Sequence, residues 1–224
     1  MKYVILIPVY KPDNELLRLL KDIDKKYSIV VINDGSGKEY DEVFKEVKKY
    51  AHLISYNENK GKGYALKKGL EYIKNTYKDY IVVTMDSDGQ HTLKDALKLC
   101  EYAKDNLDTL VLGKRLLNKN TPLRSKIGNA ITRYVFKKKT GFKIYDTQTG
   151  LRAFSYKLNN YMLKIPGWRY EYEMNVLLNL RNDNIKYKEI PIETIYFDHN
   201  RKSHFNTLKD AYLIYKNIFK YKKM

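Results

Sequence analysis

Two carboxylates, Asp86 and Asp88, stand one residue apart in the run Met85-Asp86-Ser87-Asp88-Gly89-Gln90-His91. They follow an apolar stretch, Tyr80-Ile81-Val82-Val83-Thr84, that reads as a buried strand. A turn just past a strand end breaks the two-faced alternation of the strand, so both carboxylates can converge on one ligand. Hard oxygen donors at this spacing suit Mg²⁺ or Mn²⁺, which take one or two carboxylates and complete their shell with substrate phosphates. A plain polar turn competes with that chemistry, because Asp-Gly favours turns on its own.

Other strand ends carry polar signals too. The first strand runs into Pro8-Val9-Tyr10-Lys11 and the second into Asn33-Asp34-Gly35-Ser36. An aromatic ring such as Tyr10 can stack a base, and a carboxylate such as Asp34 can accept the N–H groups of uracil or guanine. Because Asp34 sits at a strand end, its removal is expected to cost the fold little. The run Asn59-Lys60-Gly61-Lys62-Gly63-Tyr64 puts two glycines and two lysines before a helix, where Lys62 and the backbone at Gly63 would face phosphates. Ordinary turn glycines explain the same run, and neither the P-loop nor the dinucleotide spacing is present.

The elements that must position these residues alternate. Strands are predicted over 2–8, 28–33, 52–56, 80–85 and 109–113, with helices over 13–25, 39–50, 63–77 and 92–104. This pattern predicts an α/β domain with a mainly parallel sheet flanked by helices, whose ligands bind at the carboxyl ends of the strands. The order then changes, with a helix over 125–139, a loop to 150, a strand over 151–155, a helix over 170–182 and short strands over 187–189 and 194–197. No linker or repeat divides the 224 residues, so a single domain is expected, with residues 1–115 as one half and 116–224 as the other.

Composition bounds the functions. No apolar run approaches the roughly 18 residues of a membrane span, and no secretory signal is visible. The single Cys100 excludes an internal disulfide and reads as a buried thiol in a reducing compartment. A formal net charge of +17 fits nucleic acid, an anionic membrane face or an acidic substrate. A Lys-, Asn-, Ile- and Tyr-rich composition, as from an AT-rich coding sequence, would raise lysine without any such purpose. A nucleic-acid-binding domain lacks support, because RNA-recognition and zinc motifs are absent. The segment from Thr207 to Lys223 has one apolar helical face, which either docks on the domain or lies in a membrane interface.

Taken together, Ile7-Pro8-Val9-Tyr10, Asn33-Asp34-Gly35-Ser36, the run Asn59 to Gly69 and Asp86-x-Asp88-Gly-Gln90-His91 resemble the family-2 glycosyltransferases of GT-A (Rossmann-like) fold. Asp146-Thr147-Gln148-Thr149-Gly150-Leu151-Arg152, Arg169-Tyr170-Glu171-Tyr172-Glu173 and Ser203-His204-Phe205 resemble the branch of dolichyl-phosphate mannose synthases and bacterial polyprenyl-phosphate glycosyltransferases. The resemblance implies that Pro8, Tyr10 and Asp34 hold the nucleoside, that Asp86 lies near ribose and phosphates, and that Asp88 and Gln90 bind Mg²⁺ or Mn²⁺. Two departures stand out. Lys11-Pro12-Asp13 replaces the common Asn-Glu-Glu, and the Gln-x-x-Arg-Trp motif of processive synthases is missing.

The resemblance implies an inverting transfer from a nucleotide-sugar, with UDP favoured over GDP. The acceptor is a polyprenyl phosphate or, alternatively, a sugar hydroxyl of a surface glycan or teichoic acid. A hydroxyl acceptor needs a general base, for which Asp146 and Glu171 are the candidates. The competing roles are a turn cap for Asp146 and a helix start for Glu171. A phosphate acceptor needs cations instead, for which Arg115, Arg124, Arg152, Arg201 and Lys202 are candidates, each otherwise a surface residue. His204 would reach the donor diphosphate. With no spanning segment, such an enzyme is expected in the cytoplasm, peripheral at the inner face of the membrane, on anionic lipid or on a membrane-protein partner.

Overall fold

A computed structural model describes residues 1–116, 123–193 and 209–221; the side chains of 123–127 and 209 lie outside that description. The predicted strand over 194–197 and the residues Arg201, Lys202 and His204 fall outside it, as does the Arg124 side chain.

The apolar runs form strands β1 (Lys2–Val9), β2 (Ser28–Asp34), β3 (His52–Tyr56), β4 (Tyr80–Thr84), β5 (Thr109–Arg115), β6 (Arg152–Ser155) and β7 (Lys186–Ile192). They make one sheet in the order β3-β2-β1-β4-β6-β5-β7. β1 pairs in parallel with β2 and β4, β2 with β3, and β5 with β7. β6 runs antiparallel to both neighbours, β4 and β5. The parallel register puts the carboxyl ends of β1, β2, β3 and β4 on one edge, where ligands of open α/β sheets bind.

Helices α1 (Asn14–Asp22), α2 (Asp41–Val47), α3 (Lys62–Thr76), α4 (Leu93–Asp105), α5 (Leu123–Thr140), α6 (Asn159–Lys164), α7 (Glu171–Asn179) and α8 (Lys209–Lys220) cover both faces. Alternate residues of each strand feed the two cores. Ile5, Ile7, Val31, Val83 and Ala153 pack with Leu16, Leu20, Phe44 and Leu99 of α1, α2 and α4. Val4, Leu6, Ile32, Val82 and Phe154 pack with Leu66 and Leu70 of α3 and with Met162, Val176 and Ile218 of the later helices. Cys100 is fully buried and burial pushes its thiol up, as expected of an inert core thiol.

Several elements differ from the sequence expectation: α1 ends at Asp22 and not at 25, α2 spans Asp41–Val47 and not 39–50, and β7 spans Lys186–Ile192 and not 187–189. A short turn of 3-10 helix and α6 follow β6, where no element was predicted. The C-terminal helix docks on the domain. Ile218 and Asp210 are fully buried. Asn217 donates to Asn175 Oδ1 at 3.0 Å, and Tyr221 donates to Asn182 Oδ1 at 3.2 Å.

Candidate active site

The site begins where β2 ends. Asp34 is 3% exposed, and its carboxylate accepts from Asn59 Nδ2 at 2.9 Å, Lys60 N at 2.8 Å and Gly61 N at 2.8 Å. These bonds fold the 59–61 segment back over β2 and set the start of α3. Gly61, at φ 100°, makes the turn that a residue with a side chain would strain. Asn33 Oδ1 accepts from Ser36 N, and Ser36 Oγ accepts from Lys11 N at 2.9 Å, which ties the loops after β1 and β2 together. Pro8 and Tyr10 are half-buried on the same edge. Burial of Asp34 departs from the expectation of an expendable strand-end carboxylate.

The first residue of α3, Lys62, points at β4. Its ammonium lies 2.7 Å from Asp86 Oδ1 and 2.9 Å from Glu173 Oε2 of α7. Burial alone would pull this ammonium down, but the Asp86 and Glu173 charges outweigh it and hold the pKa above its ordinary value. Burial alone would push Asp86 up, yet Lys62 and His91 hold it below the usual carboxylate range. His91 Nε2 is 3.6 Å from Asp86 Oδ2. Gly150 is needed beneath this carboxylate, because a Cβ there would overlap it. Thr84 Oγ1 donates to the Gly150 carbonyl at 2.8 Å, so β4 and the approach to β6 meet under the site.

Asp88 differs from Asp86. Its Oδ1 accepts from Gln90 N at 3.1 Å, and burial, reinforced by the Asp86 charge, raises its pKa. A half-buried carboxylate raised in this way is one that a cation would stabilise. Among the described residues no group of three or more His, Cys, Asp or Glu side chains is gathered for a metal. So sparse a donor set would suit only an ion that takes most of its oxygens from a substrate, with Asp88 and Gln90 as the residues that would hold it.

The remaining predicted residues are placed as follows. Asp146 is fully buried and takes a two-pronged ion pair from Arg115, with Nε–Oδ2 2.7 Å and Nη2–Oδ1 3.0 Å. Burial would push Asp146 up, but Arg115 and the Gln148 N–H outweigh it and hold it low. The Glu189 carboxylate accepts from the N–H groups of Tyr145 and Asp146, so the loop is pinned from β5 and β7 together. Arg152 is 2% exposed and donates to the carbonyls of Thr149 and Glu173. Glu171 opens α7, and its Oε1 accepts from Trp168 N at 2.9 Å and Arg169 N at 3.2 Å. Arg169 Nε in turn pairs with Asp210 of α8 at 3.0 Å. The 166–169 loop sits on the start of α3, where Tyr64 N donates to the Trp168 carbonyl at 2.9 Å. A Cβ on Gly63 would meet the Tyr172 Cβ at 2.5 Å, so α3 and α7 touch through a glycine.

Tyr10, Asp34, Lys62, Gly63, Asp86, Asp88 and Gln90 therefore share the sheet edge. Arg115, Asp146 and Arg152 instead hold the 146–152 segment in place. Glu173 is the site neighbour that sequence reasoning did not single out. It ends the Arg169–Glu173 run that carries the family resemblance, but sequence reasoning assigns it no role.

Residues 4–164 match the model of glycosyl transferase family 2. The chain belongs to that family. It is 26% identical over 234 residues to the UDP-N-acetylglucosamine–dolichyl-phosphate N-acetylglucosaminyltransferase of Methanococcus voltae, covering 95% of this chain and 93% of that one. It is 23% identical over 220 residues to the undecaprenyl-phosphate 4-deoxy-4-formamido-L-arabinose transferase of Pectobacterium atrosepticum, covering 93% and 62%. The fold matches mannosyl-3-phosphoglycerate synthase from Rubrobacter xylanophilus with a TM-score of 0.71 at 11% identity, over 97% of this chain and 73% of that one. This family-2 glycosyltransferase thus has the GT-A fold and relatives that act on polyprenyl phosphates.

Proposed function

We propose that this glycosyltransferase moves a sugar from a nucleotide-sugar, with UDP favoured, to a polyprenyl phosphate, inverting the anomeric centre. The observation that carries this reading is the Asp86–Asp88 pair with Lys62 at the sheet edge, in a chain similar along almost its whole length to a UDP-sugar–dolichyl-phosphate transferase. Residues 1–115 supply the donor side and residues 116–224 the acceptor side.

The base lies against Tyr10, beside the loop that Asp34 holds. Lys62 and the backbone at Gly63 face the diphosphate. Mg²⁺ or Mn²⁺ on Asp88 and Gln90 would supply Lewis-acid stabilisation of the departing diphosphate. A phosphate oxygen of the acceptor attacks the anomeric carbon opposite the donor diphosphate. The carbon–oxygen bond to the diphosphate breaks, and its electron pair leaves with the nucleoside diphosphate. An anionic nucleophile needs no base, which agrees with the engagement of Asp146 and Glu171 in pairing and capping.

Among the described residues no helix is long and apolar enough to cross a membrane. Two helices that touch each other offer an interface instead. α5 exposes Ile131 and Tyr134, and α8 exposes Tyr212 and Phe219. They meet where Tyr215 and Thr132 hydroxyls lie 3.1 Å apart, and Lys139 lies over Phe219. Exposed lysines 137, 138, 139, 216 and 220 flank these rings. Aromatic rings beside lysines suit the headgroup region of an anionic bilayer. We place the enzyme there, at the cytoplasmic face.

The test is transfer from UDP- and GDP-sugars to undecaprenyl or dolichyl phosphate with Mn²⁺, beside a hydroxyl glycan acceptor. Wild type should transfer to the lipid phosphate, and Asp88→Ala should lose at least about 100-fold, as loss of a metal ligand implies. Full activity of Asp88→Ala in excess EDTA overturns the metal chemistry. Transfer to the glycan alone overturns the acceptor.

A further inference from the structure

Lys62 has two carboxylate partners at nearly equal distances, and one of them belongs to the half of the chain opposite the donor. Both carboxylates and the ammonium are largely withdrawn from water; the exposed fractions of the side chains are 15% for Lys62, 30% for Asp86 and 13% for Glu173. Unscreened carboxylates this close repel each other, and the shared ammonium cancels that repulsion. The arrangement has a consequence for the donor. A divalent ion held by Asp88 and Gln90 would also attract the neighbouring Asp86 carboxylate, which Lys62 already contacts. An ammonium paired only with Asp86 would compete with that ion for the same carboxylate. An ammonium with a second anchor can release Asp86 and remain beside the diphosphate.

We propose that Glu173 is a positioning residue: it would retain the Lys62 ammonium at the side of the donor site when a divalent ion held by Asp88 and Gln90 draws on the Asp86 carboxylate. This inference rests on the donor site proposed above. Three details of the structure support it. Glu173 lies in the first turn of α7, and the Arg152 guanidinium holds its backbone carbonyl at 2.8 Å. The Tyr170 ring stands 5.9 Å from the Lys62 ammonium and closes that side of the pair. α3 and α7 are fixed to each other by the Tyr64–Trp168 backbone bond and the Gly63–Tyr172 contact, so the Lys62–Glu173 distance is set by packing and not by loop placement.

The experiment is a calorimetric titration of UDP, with GDP in parallel, at increasing Mn²⁺ and without acceptor. Wild type should bind one nucleotide only with Mn²⁺. Glu173→Gln should raise the Mn²⁺ concentration for half-maximal binding about tenfold, the low end for a group that supports a metal site through its neighbour. Its donor KM should rise with it, while kcat at saturating Mn²⁺ falls less. Glu173→Asp should lie between the two. In a Lys62→Met background, Glu173→Gln should add less than twofold, because the ammonium it holds is gone. Wild-type Mn²⁺ dependence retained in a folded Glu173→Gln overturns the inference alone. A full tenfold effect in the Lys62→Met background also overturns it. If Glu173→Gln does not fold, an Asp variant that matches wild type has the same meaning. A wild type that binds neither nucleotide with Mn²⁺ overturns the donor site, and the inference with it.

Discussion

Asp34 is expected to be a fold residue as much as a nucleotide residue, and its replacement separates the two roles. Its carboxylate accepts three N–H bonds of 2.8–2.9 Å, and its carbonyl accepts a fourth from Asn59 at 3.1 Å. Asp34→Ala removes the three carboxylate bonds. Asn59 and Lys60 are exposed and can turn to water, so their loss is small. The Gly61 N–H is in a buried bond and is left without an acceptor, which costs about 1–3 kcal/mol. With the weaker losses added, Asp34→Ala should destabilise by about 3 kcal/mol, since each hydrogen bond to a charged group is worth up to that much when water cannot replace it. For a chain of this length that lowers Tm by roughly 6–12 °C. Asp34→Asn should cost less, because its amide oxygen can keep the Gly61 and Asn59 bonds while its NH2 faces only the Lys60 N–H. The assays are urea and thermal unfolding followed by circular dichroism, then nucleotide binding well below the lowered Tm. Variants that melt within about 1 °C of wild type refute the claim that Asp34 holds the 59–61 loop. Normal melting with lost binding returns Asp34 to a purely nucleoside role.

The Arg115–Asp146 pair should set an acid limb of stability. Asp146 is held below its unfolded value, so the stability it contributes is complete above pH 4 or so and disappears as pH falls through its unfolded and then its folded pKa. Arg115→Ala should cost about 3 kcal/mol at pH 7, and its gap from wild type, read from urea midpoints, should narrow towards pH 3; an unchanged gap means that the pair is not the source. At the outer face of α5 and α8, Tyr212→Ser with Phe219→Ser should weaken co-sedimentation with anionic vesicles at least about tenfold without changing Tm, since both rings are exposed. High salt should release the wild type as screening shortens, and a double variant that binds like wild type places the lipid contact elsewhere.

The sheet was legible because its strands are near-continuous apolar runs ended by polar turns. The prediction for β3 over 52–56 coincides with the observed strand, and the ends of β1, β2, β4 and β5 differ from expectation by at most two residues. α6 escaped because six residues are too few to show a helical period. The antiparallel insertion of β6 between β4 and β5 is invisible locally, since Val82 meets Phe154 only through the tertiary fold. The placement of Asp86, Asp88 and Lys62 on one sheet edge was legible from strand ends and a glycine-flanked helix start. Arg115 and Arg152 were read as open cations, because sequence cannot show that Asp146 and two backbone carbonyls absorb them. Glu173 was missed for the converse reason. Its Glu-x-Glu spacing looks like favourable charge at a helix N-terminus, and only the docking of α7 on α3 brings it to Lys62.

Much of what joins the two halves of the chain passes through the first turn of α3. Asp34 fixes the turn before it, Trp168 accepts the N–H of Tyr64, Gly63 meets Tyr172, and Lys62 bridges Asp86 to Glu173. A helix start has unpaired N–H groups and a positive end, which suits it to a diphosphate. The same unpaired groups also need partners from elsewhere in the chain, and one of them is supplied by the loop that leads into α7. The first turn of α3 and the position of α7 are therefore mechanically linked, and a donor bound at the proposed site would act on both. On the function proposed above, a transferase of two anionic substrates would gain from that link, because the cation proposed to meet the donor is anchored by a residue of the later half of the chain.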